Sequence, residues 1–259
     1  MSESDPRAEV SPRARLGRNV RVGPFAVVGD DVELGDDCVV HAHAVIEGPA
    51  RIGRANVFAS FSAVGGRPQD LTYCGEPTRV EIGDANDFRE YVTVNRGTVK
   101  GGGVTRLGSH NLLMAYSHVG HDSQIGDHVV LVNGATLAGH VTIADNATLG
   151  AFSPVHQFCN IGRHAYVAAY TVITQDVLPF AKVVAPRETR CYGVNRIGLE
   201  RHGFTRERIE EIERAFRLLL RSKLNTTQAL EKIRETLAGR PDVEEIVDFI
   251  ERAKRGITK

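Results

Sequence analysis

Two histidines and a carboxylate lie close together in the segment SHVGHD, residues 117–122, where His118, His121 and Asp122 span five positions. Such a group suits three roles: a metal site, a catalytic base with an orienting carboxylate, or solvated surface residues. A pair of histidines three residues apart is weak evidence for zinc on its own. The choice depends on where these side chains point, and therefore on the fold.

The composition limits the class of protein. The 259 residues are enough for one large domain or two smaller ones, and the formal net charge is zero, so no overall field attracts nucleic acid or a membrane. The N-terminus lacks the pattern of a signal peptide, and no apolar run approaches the roughly 20 residues of a transmembrane helix. We therefore expect a cytoplasmic protein without stable membrane insertion. The scattered cysteines form no C-x-x-C pair, which argues against a zinc ribbon or a disulfide framework.

An aliphatic residue or Phe recurs at every sixth position over most of the chain before residue 174. The first series is Leu16, Val22, Val28, Leu34, Val40, Ile46, Ile52, Phe58 and Val64, followed by Ile82, Phe88 and Val94. The second is Leu107, Leu113, Val119, Ile125, Leu131, Leu137, Ile143, Leu149, Val155, Ile161, Val167 and Ile173. Six residues fit a short strand and a corner, and three such units make one triangular coil of a parallel β-helix. In this all-β fold residues eighteen apart stack, and we expect the frequent Gly after the aliphatic position to permit the tight bend.

Two segments interrupt the period, at residues 65–81 and 95–106. The second exceeds one repeat by seven residues, whereas the first is either two weak repeats or a twelve-residue insertion. Asn56, Asn86 and Asn111 occupy the small inward position, and a twelve-residue insertion places them one coil apart as a hydrogen-bonded ladder. We therefore adopt the insertion.

This register places the SHVGHD segment on one face of a prism. His121 stands in a column with Gly139 and Gln157, and Asp122 stands in the next column with His140. Both columns are predicted to point outward, and both inserted segments leave from the same face. His121 and Asp122 therefore lie on an outer wall beneath two loops, where we expect a cleft.

The hexapeptide pattern fades after Ile173, and helical periodicity replaces it. Three amphipathic segments follow, beginning with TRERIEEIERAFRLLLRS at Thr205, then TQALEKIRETLAG and PDVEEIVDFIERAKRG. We predict two domains, a β-helix over residues 1–190 and an α-helical domain over residues 191–259.

The chain resembles a known family through the segments QDLTYCGEPTRVEIGD, RGTVKGGGVTRLGSHNLLM, HVGHD, ATLAGHVTI, VHQFCNIG and QDVLPF. The family is that of the bacterial acyl-(acyl-carrier-protein):UDP-N-acetylglucosamine O-acyltransferases, which begin lipid A synthesis, and the likeness runs nearly end to end. It implies a left-handed β-helix with a C-terminal α-helical domain, and a homotrimer with active sites between neighbouring prisms. It also implies transfer of an (R)-3-hydroxyacyl group from acyl carrier protein to UDP-N-acetylglucosamine, with no metal or cofactor.

The resemblance assigns roles to individual residues. His121 matches the general base, which suits an imidazole that titrates near neutral pH, and Asp122 matches its orienting partner. The register places Gly139 one coil above His121, about 4.8 Å away, where its N–H could stabilise an oxyanion. The positions implied in substrate binding are Gln69, Asp70, His118, His140, His156, Gln157, Ala169, Asn195 and Arg201.

Four positions differ from the family pattern. Thr72 replaces a usual Lys, Ile197 an acidic residue and Glu188 a His, and Ala169 occupies a position that limits acyl-chain length. The differences suggest weaker nucleotide binding, a modified sugar nucleotide such as a 3-amino analogue, or a shorter chain. The alternative functions are an N-acyltransferase of the same superfamily, a zinc-dependent γ-type carbonic anhydrase and an inactive scaffold. Zinc is disfavoured because acyl transfer already accounts for the histidines.

Overall fold

The structure is a computed structural model that describes residues 2–185, 190–253 and 256–258. Before the first loop the strands are β1 (Glu3–Ser4), β2 (Glu9–Val10), β3 (Arg15–Leu16), β4 (Arg21–Val22), β5 (Val27–Val28), β6 (Val32–Leu34), β7 (Val39–Val40), β8 (Val45–Ile46), β9 (Ala50–Ile52), β10 (Val57–Phe58) and β11 (Ala63–Gly66). Between the loops they are β12 (Arg79–Ile82), β13 (Asp87–Phe88) and β14 (Thr93–Asn95). After the second loop they are β15 (Val104–Leu107), β16 (Leu112–Leu113), β17 (His118–Val119), β18 (Gln124–Ile125), β19 (Val130–Leu131), β20 (Thr136–Leu137), β21 (Thr142–Ile143), β22 (Thr148–Leu149), β23 (Pro154–Val155), β24 (Asn160–Ile161), β25 (Tyr166–Val167), β26 (Ala181–Val184) and β27 (Arg190–Val194).

Every third strand belongs to the same sheet, so the three sheets form the faces of a triangular prism. In the described residues the first face contains eleven strands, from β1 and β4 through β25 to β26 and β27. The second face contains eight strands from β2 to β23, and the third contains eight from β3 to β24. All named pairings are parallel except the last, between β26 and β27. The predicted all-β parallel β-helix is therefore confirmed.

The aliphatic residues of successive coils remain aligned across both loops. Val64 pairs with Val94, thirty positions on, and Val94 pairs with Val119, twenty-five positions on. These separations exceed the eighteen residues of one coil by twelve and by seven, as predicted from the sequence. The interior is filled by the aliphatic column residues, and the Phe58 and Phe88 rings stack inside it at 4.9 Å.

The predicted asparagine ladder is present inside the prism. The side-chain oxygen of Asn56 accepts hydrogen bonds from the N–H and the amide of Asn86, both at 2.9 Å. The Asn86 oxygen accepts from the Asn111 N–H at 2.9 Å, and the Asn111 oxygen accepts from the Val129 N–H at 2.7 Å. The ladder connects three successive coils across both insertions.

The predicted role of glycine in the bend is wrong for the repeat. The left-handed φ values of the repeat fall three residues after the aliphatic position, at residues such as Asn19, Asp37 and Phe152. Of the glycines that directly follow an aliphatic position, Gly65 at the start of the first insertion has a left-handed φ. Those glycines are required because the next coil is too close for a side chain. A Cβ on Gly35 would lie 2.6 Å from the carbonyl carbon of Gly53.

The C-terminal region is helical, as predicted. It contains α1 (Arg196–Arg201), α2 (Arg206–Leu220), α3 (Thr226–Leu237) and α4 (Pro241–Arg252), of which α1 is too short to show a period in the sequence. The helices contact the prism through Asp242, whose carboxylate binds Arg208 of α2 and Arg163 of the prism, each at 2.8 Å. The domain boundary at residues 190 and 191 remains a proposal, because β27 still pairs with the prism. No helix among the described residues is long and apolar enough to cross a membrane.

Replacement of Asn86 by Ala tests the ladder. The change leaves the buried Asn111 N–H without its acceptor and removes two amide donations, so we expect a loss of about 2–3 kcal/mol in unfolding free energy. Urea unfolding followed by circular dichroism measures it. The control is Asn133→Ala at an exposed position, and equal midpoints for the two variants would contradict a structural role for the ladder.

Candidate active site

His121 and Asp122 form a hydrogen-bonded pair at the corner that follows β17. The Nδ1 atom of His121 lies 2.8 Å from Oδ2 of Asp122. Asp122 adopts a left-handed φ of 62°, which turns its side chain back toward the ring of its neighbour. The His121 side chain is 15% exposed and that of Asp122 only 1%. Because the carboxylate accepts from Nδ1, the Nε2 atom of His121 keeps its lone pair for another group.

The second loop covers the carboxylate, which is why an outward-pointing Asp is buried. Thr98 donates its N–H to Oδ1 and its hydroxyl to Oδ2 of Asp122, both at 2.7 Å. The Asp122 N–H donates to the hydroxyl of Thr105 at 2.8 Å. The loop can approach so closely only with glycine, because a Cβ on Gly101 would lie 2.1 Å from the carboxyl carbon. Asp122 is therefore fixed from both sides.

Two further histidines surround the pair. His118 bonds through Nδ1 to the Thr93 hydroxyl at 2.7 Å, and burial lowers the pKa of His118, with His121 adding to the effect. His140 donates its backbone N–H to the His121 carbonyl at 2.8 Å, and its Nε2 lies 3.7 Å from Oδ2 of Asp122. Burial lowers the pKa of His140, and the attraction of Asp122 offsets part of that shift. Both rings are therefore neutral at pH 7.

Gly139 lies directly against the imidazole of His121. A Cβ at this position would be 2.5 Å from Cε1 and 2.6 Å from Nε2 of the ring. The open nitrogen of the base therefore faces a backbone without a side chain. Gly139 is buried, and among the described residues its N–H makes no backbone hydrogen bond.

The first loop forms one wall of a cleft beside this group. The cleft has a volume of about 890 Å³, and Gln69, Asp70, Tyr73 and Arg96 are among the residues that line it. Arg96 anchors the loop, because its guanidinium donates to two backbone carbonyls and to the Tyr73 hydroxyl. Hydrogen bonds from Thr72 lower the pKa of Asp70, which also interacts electrostatically with His121. Gln69 and Asp70 thus line the cleft, and their role in substrate binding remains a prediction.

Other predicted residues lie farther from His121 within one chain. His156 and Gln157 follow Val155 at the same corner, two coils or roughly 10 Å along the prism. Ala169 follows β25 of the first face and is exposed at a different corner.

Asn195 is the N-cap of α1 and Arg201 is its last residue, at the C-terminal end of the prism. Asn195 caps the helix, accepting from the Gly198 N–H, and donates to the His164 carbonyl at the third corner. Arg201 and Ile197 are exposed on α1. Glu188 lies outside the described residues.

A metal at this corner would have to compete with existing hydrogen bonds. One ligand atom each from His121, Asp122 and His140 lies within 4.8 Å of the others. However, Oδ1 of Asp122 already accepts from Thr98, and Oδ2 accepts from both Thr98 and His121. The donor set suits a base with an orienting carboxylate better than a metal, and the absence of a metal remains a prediction.

Three residues with direct effects on the site had no assigned role in the sequence. Thr98 and Thr105 hold Asp122, and Lys100 reaches Thr72, with Nζ 2.8 Å from its hydroxyl oxygen. An ammonium group therefore stands beside Thr72, the position where the family usually has a Lys. These residues lie in or beside an insertion, where the hexapeptide period gives no positional information.

Comparisons with known proteins agree with the fold. Residues 176–258 match the family model "Udp N-acetylglucosamine O-acyltransferase; Domain 2", and residues 13–48 and 105–139 match that of the bacterial transferase hexapeptide. The acyl-(acyl-carrier-protein)–UDP-N-acetylglucosamine O-acyltransferase of Alkalilimnicola ehrlichii is 49% identical over 77% of each chain, and that of Halorhodospira halophila is 48% identical over 82% of each. The crystal structure of the Francisella novicida UDP-N-acetylglucosamine acyltransferase superposes with a TM-score of 0.95 at 38% identity, covering 98% of this chain and 93% of that one.

The prism of hexapeptide coils and the histidine corner define a transferase of the left-handed β-helix class with a C-terminal helical domain. The sequence identity to these relatives establishes the family as well as the class. The chain belongs to the family of acyl-(acyl-carrier-protein):UDP-N-acetylglucosamine O-acyltransferases.

Substitution of Gly139 by Val tests whether this backbone must stay bare. The added side chain would collide with the His121 ring, so we expect the variant to lose at least roughly 10²-fold in kcat, a cost typical of displacing one catalytic group. The thermal unfolding temperature and the size of the assembly in solution should stay close to those of the unaltered protein. Turnover at the unaltered rate would remove Gly139 from the acyl site.

Proposed function

We propose that this protein transfers an (R)-3-hydroxyacyl group from the thioester of acyl carrier protein to the 3-hydroxyl of UDP-N-acetylglucosamine, the first step of lipid A synthesis. The observation that carries the proposal is the His121–Asp122 pair, with Nε2 open beside the bare backbone of Gly139. The relatives named above are acyl-(acyl-carrier-protein)–UDP-N-acetylglucosamine O-acyltransferases, which supports these two substrates. The reaction requires no metal and no cofactor.

His121 acts as the general base. A sugar hydroxyl is a weak nucleophile at neutral pH, and Nε2 removes its proton as the oxygen attacks the thioester carbonyl. The imidazolium that forms is stabilised by Asp122, which stays ionised and keeps the ring in the required tautomer. Thr98 holds the carboxylate so that it cannot turn away from the ring.

The attack produces a tetrahedral intermediate whose oxyanion needs a donor. We assign the Gly139 N–H to this role, because it lies beside Nε2 and makes no backbone hydrogen bond among the described residues. Collapse of the intermediate breaks the C–S bond, forms the ester and returns the proton from His121 to the departing thiolate. A thiol has a pKa of about 8.5, so no stronger acid is required.

The remaining predicted residues complete the site only if chains associate. Ala169 and the α1 residues Asn195 and Arg201 lie at other corners than His121, so one chain cannot close the cleft with them. We propose a homotrimer in which a neighbouring prism provides these residues. A column of exposed, stacked aromatic rings beside Ala169, including Phe152 and Tyr170, supports an interface there.

Each remaining binding residue has a proposed role. Gln69 and Asp70 hold the sugar, and Asn195 and Arg201 contact the nucleotide. His118, His140, His156 and Gln157 line the groove, and Ala169 limits the acyl chain. The protein acts in the cytoplasm, where its two substrates are made. The sugar could also be a 3-amino analogue, which competition between the two nucleotide sugars distinguishes.

Replacement of His121 by Ala tests the base directly. We expect kcat for acyl transfer from 3-hydroxyacyl carrier protein to fall by roughly 10²- to 10⁴-fold, because the hydroxyl loses its proton acceptor. The matched control is His128→Ala, since His128 stacks on His110 at another corner and is exposed. Near-normal turnover by His121→Ala would refute the assignment.

Mixed trimers test the shared site. His121→Ala and Arg201→Ala chains are co-expressed with different tags, and trimers containing both are assayed at low nucleotide-sugar concentration. If the two residues act from neighbouring chains, each trimer that contains both chains has one intact interface of three, so roughly a third of the activity returns. Activity no higher than the average of the two separate variants would show that the residues do not meet between chains.

A further inference from the structure

Lys100 projects from the second loop toward the first. It lies in the single-turn 3₁₀ helix Val99–Gly101, and its Nζ is 2.8 Å from the Thr72 hydroxyl oxygen. This contact joins the two loops above the corner that carries His121 and Asp122. Asp70 interacts electrostatically with both Lys100 and His121, so both groups lie near Asp70.

Both ends of the contact are fixed by the residues that build the site. The 3₁₀ helix is capped by Thr98, which also donates both of its hydrogen bonds to Asp122. On the other loop, Thr72 donates its N–H and hydroxyl to Asp70, at 2.7 and 2.8 Å. The carboxylate of Asp122 therefore positions Lys100 through the 3₁₀ turn, although Lys100 itself is exposed.

The charge on Lys100 is not matched by a direct ion pair. Within the described ranges, no carboxylate oxygen lies within 4 Å of its Nζ, and its one hydrogen-bond acceptor is a neutral hydroxyl. Two arginines line the cleft: Arg96 donates to carbonyl and phenol oxygens that hold the loop, whereas Arg67 is exposed. Lys100 differs from both, because Thr72 holds its ammonium group in place while donor capacity is left for an anion.

We propose that Lys100 binds a phosphate group of a substrate at the mouth of the cleft, with Thr72 holding its ammonium group in place. The inference rests on the proposed function, because both substrates carry phosphate: the nucleotide sugar as a diphosphate, and the carrier protein as the phosphodiester of its prosthetic arm. Lysine suits this role as a compact point charge with three donors. Lys100 does not reach the reacting atoms, so it acts on binding rather than on the chemical step.

Lys100→Met removes the charge and keeps the length of the side chain. We expect KM to rise about 3- to 10-fold for one of the two substrates, as for a partly exposed charged contact, with kcat changed by less than about twofold. A rise for UDP-N-acetylglucosamine identifies the diphosphate, and a rise for the acyl carrier protein identifies the phosphodiester. The rise should shrink with added salt, because exposed charges are screened. The matched control is Lys232→Met, whose ammonium group pairs with Glu235 on α3.

Two variants separate charge from structure. Lys100→Arg should keep KM near the original value, and Thr72→Lys combined with Lys100→Met returns the ammonium group from the other loop and should recover most of the lost affinity. Unchanged KM for both substrates in Lys100→Met, or a fall in kcat without a change in KM, would overturn the proposal.

Binding of UDP-N-acetylglucosamine measured by calorimetry keeps the two proposals apart. If the unaltered protein binds the nucleotide but transfers no acyl group, the proposed function fails, while a weaker affinity of Lys100→Met still supports the phosphate contact. If transfer proceeds and neither affinity nor KM depends on Lys100, the phosphate contact alone fails.

Discussion

The stacking of coils at a constant register is the constraint on which the rest of the structure depends. Each strand of two or three residues is too short to be stable alone, and it is stabilised by hydrogen bonds to the coils above and below. The stack also decides which side chains become neighbours, because residues one coil apart differ only in height. His121 and Gly139 meet for this reason. The asparagine ladder extends the same register across the two insertions, where the sequence period is lost.

A repetitive prism offers many equivalent corners, and the insertions make one of them different. At another corner a residue with left-handed φ, Phe152, stacks on Tyr170 and remains exposed. At Asp122 the second loop descends over the corner, buries the carboxylate and saturates both of its oxygens. The same backbone position thus serves as a turn at one corner and as part of a catalytic pair at another. The second loop makes this difference. It can approach Asp122 so closely because its glycine backbone carries no side chain.

The sequence predicted those features that repeat. The aliphatic period gave the core, the three faces and the neighbours of His121, and the positions of Asn56, Asn86 and Asn111 settled the length of the first insertion. The contacts of Thr98 and Lys100 could not be predicted, because a loop outside the period has no register from which a neighbour follows. The role of the repeat glycines was misjudged for a related reason. Crowding between coils depends on residues eighteen positions away, whereas a bend depends on local φ alone.

The solid interior of the prism also supports the proposal that a second chain completes the site. Its core is filled by side chains from three faces, so substrates can bind only on the outside, where the two loops provide one wall. A long acyl chain on a one-walled surface would remain largely hydrated and would gain little from burial, at about 0.8 kcal/mol for each CH₂ group removed from water. The second wall must therefore come from an apolar surface outside this chain's own cleft. The corner that bears Ala169 and the exposed rings of Phe152 and Tyr170 has that character, and every chain carries one copy of it.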